Sequence, residues 1–370
     1  MVDGEEIKTN DAIPEACSVA DGRLTAIDLF CGAGGLTLGL KQAGFRVLAG
    51  VEMESVPART FALNHSDVIC VQKDIRKLGA AELLKMVGLK RGELDLLAGC
   101  PPCQGFSTLR TRKKAVSVED DRNDLLFEFM RMVEALSPRS LMMENVPALA
   151  EDKRMKMFLK RISMLGYKIG RKNVRVEDAA NYGVPQRRYR MIFLASKSGQ
   201  VSDAHTSVPI TVRQCLTAVA LAPVGNANDP LHDHMPKRSS HVEEIIKNIP
   251  KDGGSRTALP DHLILACHRK NGSGFRDVYG RMSWDKVSPT MTGGCGNPSK
   301  GRYLHPSEDR AISLREAALF QTFPSDYQFD LTGGRGKVAL MIGNALPPEF
   351  IRRHAIKIYE SLSKVQDNVQ

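Results

Sequence analysis

No stretch of the chain approaches the roughly 18 consecutive apolar residues that a membrane-spanning helix needs, so no membrane partner is expected. The first residues, with Asp3, Glu5 and Glu6, have neither the basic start nor the apolar centre of a secretion signal. There is no internal repeat. The eight cysteines form no repeating framework, which fits reduced thiols in a cytoplasm-like compartment rather than a disulfide scaffold. Seven of the nine histidines fall between residues 199 and 310, yet no structural zinc spacing is complete among them. They are read as satisfied surface or groove groups, and no metal site is expected.

What is present is ordinary in bulk and uneven in detail. The 370 residues are 42% hydrophobic and 25% charged, typical of a soluble chain with room for one large core and a smaller domain. The net charge of +10 is concentrated: residues 151–200 hold 13 Lys or Arg against 4 Asp or Glu, whereas residues 201–310 hold 14 against 11. Such a surplus suits a surface that meets phosphates, although part of it, Lys153 to Lys160, reads as a solvated helix face.

Residues 1–22 read as a loose polar tail. Short apolar runs at Leu24–Phe30, Arg46–Glu52, Val68–Val71, Leu94–Gly99, Leu141–Glu144 and Arg190–Ala195 predict strands. Helical periodicity at Leu36–Ala43, Pro57–Asn64, Ala80–Val87, Leu125–Leu136 and Met155–Leu165 alternates with them, which predicts a parallel sheet covered on both faces. Residues 23–198 form this first unit. The regularity fails across residues 199–310, which are rich in Gly, Pro, Ser, Asn and His and carry short strand-like pieces such as Leu263–Ala266. Helical pattern returns at Ser313–Gln321, Lys337–Ile342 and Glu349–Leu362, so residues 311–370 are expected to rejoin the first unit.

The chemistry-bearing residues sit at predicted strand ends, where ligands gather in open α/β sheets. The first strand enters Asp28-Leu29-Phe30-Cys31-Gly32-Ala33-Gly34-Gly35-Leu36. Strand, glycine loop and helix make a nucleotide-type site, but the spacing is G-x-G-G rather than the dinucleotide fingerprint. Asp28 would repel a pyrophosphate and suits an ammonium group, as in the methionine part of S-adenosylmethionine. Glu52 ends the second strand as a ribose partner would, and Met53 with Phe30 could sandwich an adenine. Asp74, beside Ile75, follows the third strand and could accept from an exocyclic amine. The fourth strand leads into Gly99-Cys100-Pro101-Pro102-Cys103-Gln104, a loop well placed for a nucleophilic thiol. The same Cys100 to Cys103 spacing also fits a redox C-x-x-C pair. Glu144, in Glu144-Asn145-Val146, could protonate or hydrogen-bond a heterocycle if burial raises its pKa. In Gln186-Arg187-Arg188-Tyr189-Arg190, the two alternate arginines Arg188 and Arg190 share a face and could clamp a phosphate or a carbonyl oxygen.

This ordered set, continued by Arg315-Glu316-Ala317-Ala318-Leu319-Phe320-Gln321-Thr322-Phe323-Pro324 and Gly343-Asn344, closely resembles the DNA cytosine-5 methyltransferases. The resemblance spans residues 24 to about 355 and is specific as a set, though the glycine loop alone is weak. It implies an α/β, Rossmann-like, S-adenosylmethionine-dependent methyltransferase fold with a second, smaller irregular target-recognition domain at residues 199–310. It also implies Cys103 as nucleophile, Glu144 on the cytosine ring nitrogen and amine, Arg190 on the base carbonyl and Arg188 on a nearby phosphate. Asp28, Phe30, residues 31–36, Glu52, Met53, Asp74, Ile75 and Pro101 would hold S-adenosylmethionine, with Asn344 and Ala345 closing its amino-acid end. Arg110 to Lys114 match the mobile catalytic loop.

The implied partner is double-stranded DNA, whose target base must be flipped out to expose carbon 6. The implied enzyme is a compact bacterial or phage modification enzyme without large regulatory regions, cytoplasmic (nucleoid-associated if bacterial) and monomeric. A companion restriction endonuclease acting on the same site is admitted. The resemblance disfavours the redox reading of Cys100 and Cys103 and a catalytically dead binding module. The transfer RNA cytosine methyltransferase branch remains as the alternative, although its Cys-Phe-Thr signature does not occur here.

Overall fold

The computed structural model describes residues 22–102, 125–226, 228–269 and 277–367. Seven strands form one sheet: β1 (Thr25–Leu29), β2 (Arg46–Glu52), β3 (Ile69–Gln72), β4 (Leu96–Gly99), β5 (Ser140–Asn145), β6 (Val174–Asp178) and β7 (Tyr189–Ser196), in the order β3-β2-β1-β4-β5-β7-β6. The first five are parallel, while β7 runs antiparallel to both β5 and β6. The expectation of a parallel sheet is therefore corrected at one edge. β6 escaped the sequence pattern because it is an edge strand, Val-Arg-Val-Glu-Asp, whose charges protect its open side.

Alternate residues of each central strand face opposite cores. Ile27, Leu29, Leu97, Met143 and Phe193 pack with Phe129 and Phe158, which come from helices α4 (Leu125–Leu136) and α5 (Lys153–Met164). Helix α3 (Ala80–Val87) closes the same side through Leu83 and Val87. Ala26, Leu96, Ala98, Met142, Ile192 and Leu194 pack on the other side with α1 (Gly35–Gln42) and with the long C-terminal helix Pro348–Asp367. Gly39 permits that close helix pair, since a Cβ there would sit 2.5 Å from the Pro348 carbonyl oxygen. The C-terminal helix thus packs against α1 on this face of the sheet. Helix α2 (Ser55–Asn64) connects β2 to β3.

Residues 199–310 contain helices Val212–Val219 and Ser240–Asn248 and isolated bridges, but no strand among the described residues. The strand-like piece Leu263–Ala266 instead runs from one helical turn, Asp261–Leu263, into another, Ala266–Arg269. A small nucleus of Ile245, Ile246, Ile249, Leu259, Leu263, Tyr279 and Leu304 organises the segment around Arg281. The Arg281 side chain is fully buried, donates to the carbonyls of Ile246, Ile249, His305 and Glu308, and pairs with Asp309. Irregular backbone leaves carbonyls unpaired, and one guanidinium with several donors replaces the missing ladder. Two of the segment's histidines are buried rather than at the surface: His232, bonded to Ser313 Oγ at 2.8 Å, and His305. A further cluster joins Val212, Met282, Met291 and Tyr303 to Leu314, Phe320, Phe323 and Ile342, so the apolar packing crosses residue 310. Among the described residues no helix is long and apolar enough to cross a membrane.

Candidate active site

The strand order reverses between β1 and β4, which places a crevice beyond their carboxyl ends. Leu29 and Gly99 are register partners there, and the Cys100 N–H donates to the Leu29 carbonyl at 3.3 Å. The two loops singled out in the sequence therefore leave the sheet side by side.

The glycine loop turns sharply. Phe30 adopts a left-handed φ of 64°, a strained value for an aromatic residue, and Gly34 has φ 93° at the start of α1. Glu52, at the end of β2, takes the Gly32 N–H at 3.0 Å and the Glu54 N–H at 2.8 Å. Burial pushes its pKa up, while the backbone N–H bonds counter it. Each carboxylate oxygen keeps acceptor capacity beyond the bond it already makes. Met53 is exposed, Phe30 is half-buried, and a Cβ at Gly32 would meet nothing within 4 Å, so this side of the loop is open. Asp74 follows β3, caps the turn Ile75–Lys77 and pairs with Arg76 at 2.8 Å, which holds its carboxyl below the usual range. The side chains of Cys31, Ala33, Leu36 and Ile75 are buried in the cores. Gly35 faces the Leu346 carbonyl, which a Cβ would approach to 2.5 Å. The segment from Asn344 and Ala345 onward therefore passes beside this loop.

Asp28 departs from its expected place. It is fully buried, accepts the Thr37 hydroxyl at 2.7 Å and supports the first turn of α1, leaving Oδ1 without a partner. Contact with a ligand ammonium is corrected to a supporting role beneath the loop. Burial raises its pKa from 3.8 to about 7, against the bonds from Thr37. The folded state thus retains a proton that the unfolded state releases, and this group's contribution to stability falls as pH rises from 3.8 to about 7. Asp28→Asn is expected to melt progressively higher than the parent chain across that window, with the difference levelling above it. A difference in melting temperature that stays constant with pH would contradict this.

Across the switch point, Glu144 lies at the end of β5, 2% exposed. Its Oε1 pairs with Arg190 Nε at 2.8 Å, and its Oε2 accepts the Cys100 thiol at 3.0 Å. Burial raises the Glu144 pKa, and Arg190 and the thiol bond offset part of that rise. A buried carboxyl held between a cation and a weak donor can deliver a hydrogen bond or proton to a ring nitrogen. Asn145, to which the sequence assigned no role, donates to the Pro101 carbonyl at 2.8 Å and so fixes the loop leading to Cys103. Cys103 itself and Arg110 to Lys114 lie outside the described residues.

Arg188 requires the second correction. It is 2% exposed, and its guanidinium donates to the carbonyls of Met291 and Gly343 at 2.9 Å and of Ala345 at 3.2 Å. With both terminal nitrogens bonded to these carbonyls and almost no surface exposed, it braces the site rather than clamping a phosphate. Gln186 extends the brace, accepting the Met291 N–H at 2.7 Å and donating to Gln321 at 2.8 Å. Gly343 allows the close approach involved, because a Cβ there would lie 2.1 Å from the Thr292 backbone.

Fold and site together define an open α/β protein with a nucleotide-type loop and a buried acid–arginine pair on either side of one switch point. The family model for C-5 cytosine-specific DNA methylase matches residues 24–360. The chain is 37% identical over 334 residues to Type II methylase M.HgiDII of Herpetosiphon aurantiacus, covering 87% of this chain and 91% of that protein. It is 32% identical to Type II methyltransferase M1.HphI of Haemophilus parahaemolyticus, covering 88% and 84%. The crystal structure of a candidate DNA modification methyltransferase encoded within an Escherichia coli prophage superposes with TM-score 0.66 at 25% identity, covering 92% and 99%. The chain belongs to the C-5 cytosine-specific DNA methylase family, and it is a DNA (cytosine-5)-methyltransferase.

Proposed function

We propose that the enzyme methylates carbon 5 of a flipped-out cytosine in a specific duplex sequence through a covalent adduct between Cys103 and carbon 6. The Glu144 cluster carries this reading. It sets a buried carboxyl, whose pKa burial raises, and an arginine beside the strand end from which the Cys103 loop departs. The Cys103 thiolate adds to carbon 6 and forms the S–C bond. The displaced ring electrons move toward carbon 5 as Glu144 donates at nitrogen 3, and Arg190 steadies the base carbonyl. Carbon 5, now electron-rich, is the atom methylated. Its proton then leaves to water, the 5,6 double bond re-forms as the thiolate is expelled, and nitrogen 3 returns its proton to Glu144. Bisulfite sequencing of DNA from cells expressing the protein tests the reading: protected cytosines in one recurring sequence are expected, and none would overturn it.

The methyl donor on this reading is S-adenosylmethionine, which supplies an electrophilic methyl group on a sulfonium and leaves as S-adenosylhomocysteine. The residues fit it. Glu52 is held in place by backbone N–H groups with acceptor capacity to spare, the open side of the loop lies next to Phe30 and Met53, and Asp74 stands at the adjacent strand end. Asn344 and Ala345 lead directly into Leu346, whose carbonyl lies beside Gly35. Glu52→Ala is expected to weaken S-adenosylmethionine binding by about tenfold or more in calorimetry, as the loss of charge-assisted bonds requires. Unchanged affinity would remove Glu52 from the site.

Residues 199–310 are proposed to read the DNA sequence. Their irregular, self-contained nucleus lies outside the sheet and supplies a scaffold whose loops can vary without disturbing the chemistry. Exchanging the segment with that of a relative is expected to transfer the methylated sequence to the chimera. A folded chimera that keeps its parent's site would contradict the assignment. The Type II relatives support a companion restriction endonuclease acting on the same sequence.

A further inference from the structure

Two side chains with no role in the chemistry above converge on the glycine loop. Tyr327 donates its hydroxyl to the Ala33 carbonyl at 2.5 Å. His65, just past α2, places Nε2 3.2 Å from the Gly34 carbonyl and 3.1 Å from the Tyr327 oxygen. The tyrosine has already committed its proton, so His65 must carry hydrogen on Nε2 and donate. Burial, with Lys41 nearby, pushes the His65 pKa down to about 4, which keeps the ring neutral near pH 7. Gly34 makes the approach feasible: a Cβ would lie 2.4 Å from His65 Nε2 and 2.6 Å from the Tyr327 oxygen.

Both residues are themselves held. Phe61 packs on His65 at 4.8 Å between ring centroids, and Phe323 on Tyr327 at 4.6 Å. Arg315 donates to the Tyr327 carbonyl at 2.8 Å and pairs with Asp229, which belongs to the irregular segment. The loop therefore has a rigid backing that reaches two distant parts of the chain.

We infer that Tyr327 and His65 are positioning residues that fix the carbonyls of Ala33 and Gly34, and thereby set the affinity of the glycine loop for the methyl donor. The inference rests on the assignment of S-adenosylmethionine to this loop. A loop with two successive carbonyls pinned keeps its N–H groups and Glu52 contact in one arrangement, so less ordering is left for binding to bring about. The clamp touches no reacting atom, and its loss should appear in affinity rather than in turnover.

The test uses the full chain, calorimetric binding of S-adenosylhomocysteine, and steady-state methyl transfer to DNA. Tyr327→Phe keeps the ring packing and removes both the bond to the Ala33 carbonyl and the contact with His65. It is expected to weaken binding and raise the S-adenosylmethionine KM by about fivefold to tenfold, with kcat at saturation within about twofold. His65→Leu is expected to behave likewise, whereas His65→Gln, which can place an amide N–H near the position of Nε2, should recover most of the affinity. Parental affinity in Tyr327→Phe, or a fall in kcat with KM unchanged, would overturn the inference. Failure of the unsubstituted chain to bind S-adenosylhomocysteine would instead overturn the cofactor assignment beneath it.

Discussion

Replacing Cys103 by serine is expected to lower methyl transfer by about a thousandfold or more while leaving S-adenosylmethionine binding at its parental value. A serine hydroxyl is far less acidic and less nucleophilic than a thiol, so the carbon 6 adduct would not form at a useful rate. Cys100→Ser is expected to retain most activity, because Cys100 faces Glu144 rather than the base in the proposed reaction. Measuring initial rates of both variants on one DNA substrate separates the nucleophile from its neighbour. Equal losses would remove that distinction.

The second large effect is expected at Glu144. Glu144→Gln keeps the shape of the side chain but can neither ionise nor deliver a proton to nitrogen 3. It also removes the ion pair to Arg190 at 2.8 Å. A fall in kcat of about a hundredfold to ten-thousandfold is expected, the range of general acid–base contributions. The S-adenosylmethionine affinity should change little, since the glycine loop proposed to bind it lies across the switch point. A variant that retains parental kcat would assign Glu144 a structural role only.

Much of this site was legible in the sequence because parallel strands buried on both faces are written as short apolar runs, and chemistry collects where such runs stop. Glu52, Asp74, Cys100 and Glu144 each follow or end such a run, and the strand order brings those ends to one edge of the sheet. What remained hidden depends on contacts between residues far apart in the chain. Arg188 and Arg190 alternate about Tyr189, but one meets Glu144 whereas the other is buried under carbonyls from Met291, Gly343 and Ala345. No local pattern separates them. Asp28 likewise stands beside the glycine loop in sequence, yet its strand position turns it beneath α1 toward Thr37. His65 and Tyr327 are 262 positions apart and act on the same loop.

The irregular segment was opaque for a related reason. Its backbone is satisfied by Arg281 and by helix caps rather than by a sheet ladder, so it lacks the periodicity that reveals strands. Its position between two regular stretches was the readable feature. The folded arrangement shares one apolar cluster with Leu314, Phe320 and Ile342, and that shared surface ties it to the helices near the glycine loop.

The central claim is that Cys103 bonds to carbon 6 of the target cytosine and that the carbon 5 proton must leave before release. DNA carrying 5-fluorocytosine at the methylated position tests both parts at once, because fluorine cannot depart as a cation and elimination stops. Incubation with S-adenosylmethionine, followed by denaturing electrophoresis and peptide mass spectrometry, should yield a stable protein–DNA adduct attached at Cys103. The same adduct should be absent from Cys103→Ser and present in Cys100→Ser. An adduct mapped to another residue, or no adduct from an enzyme that methylates ordinary DNA, would contradict the account.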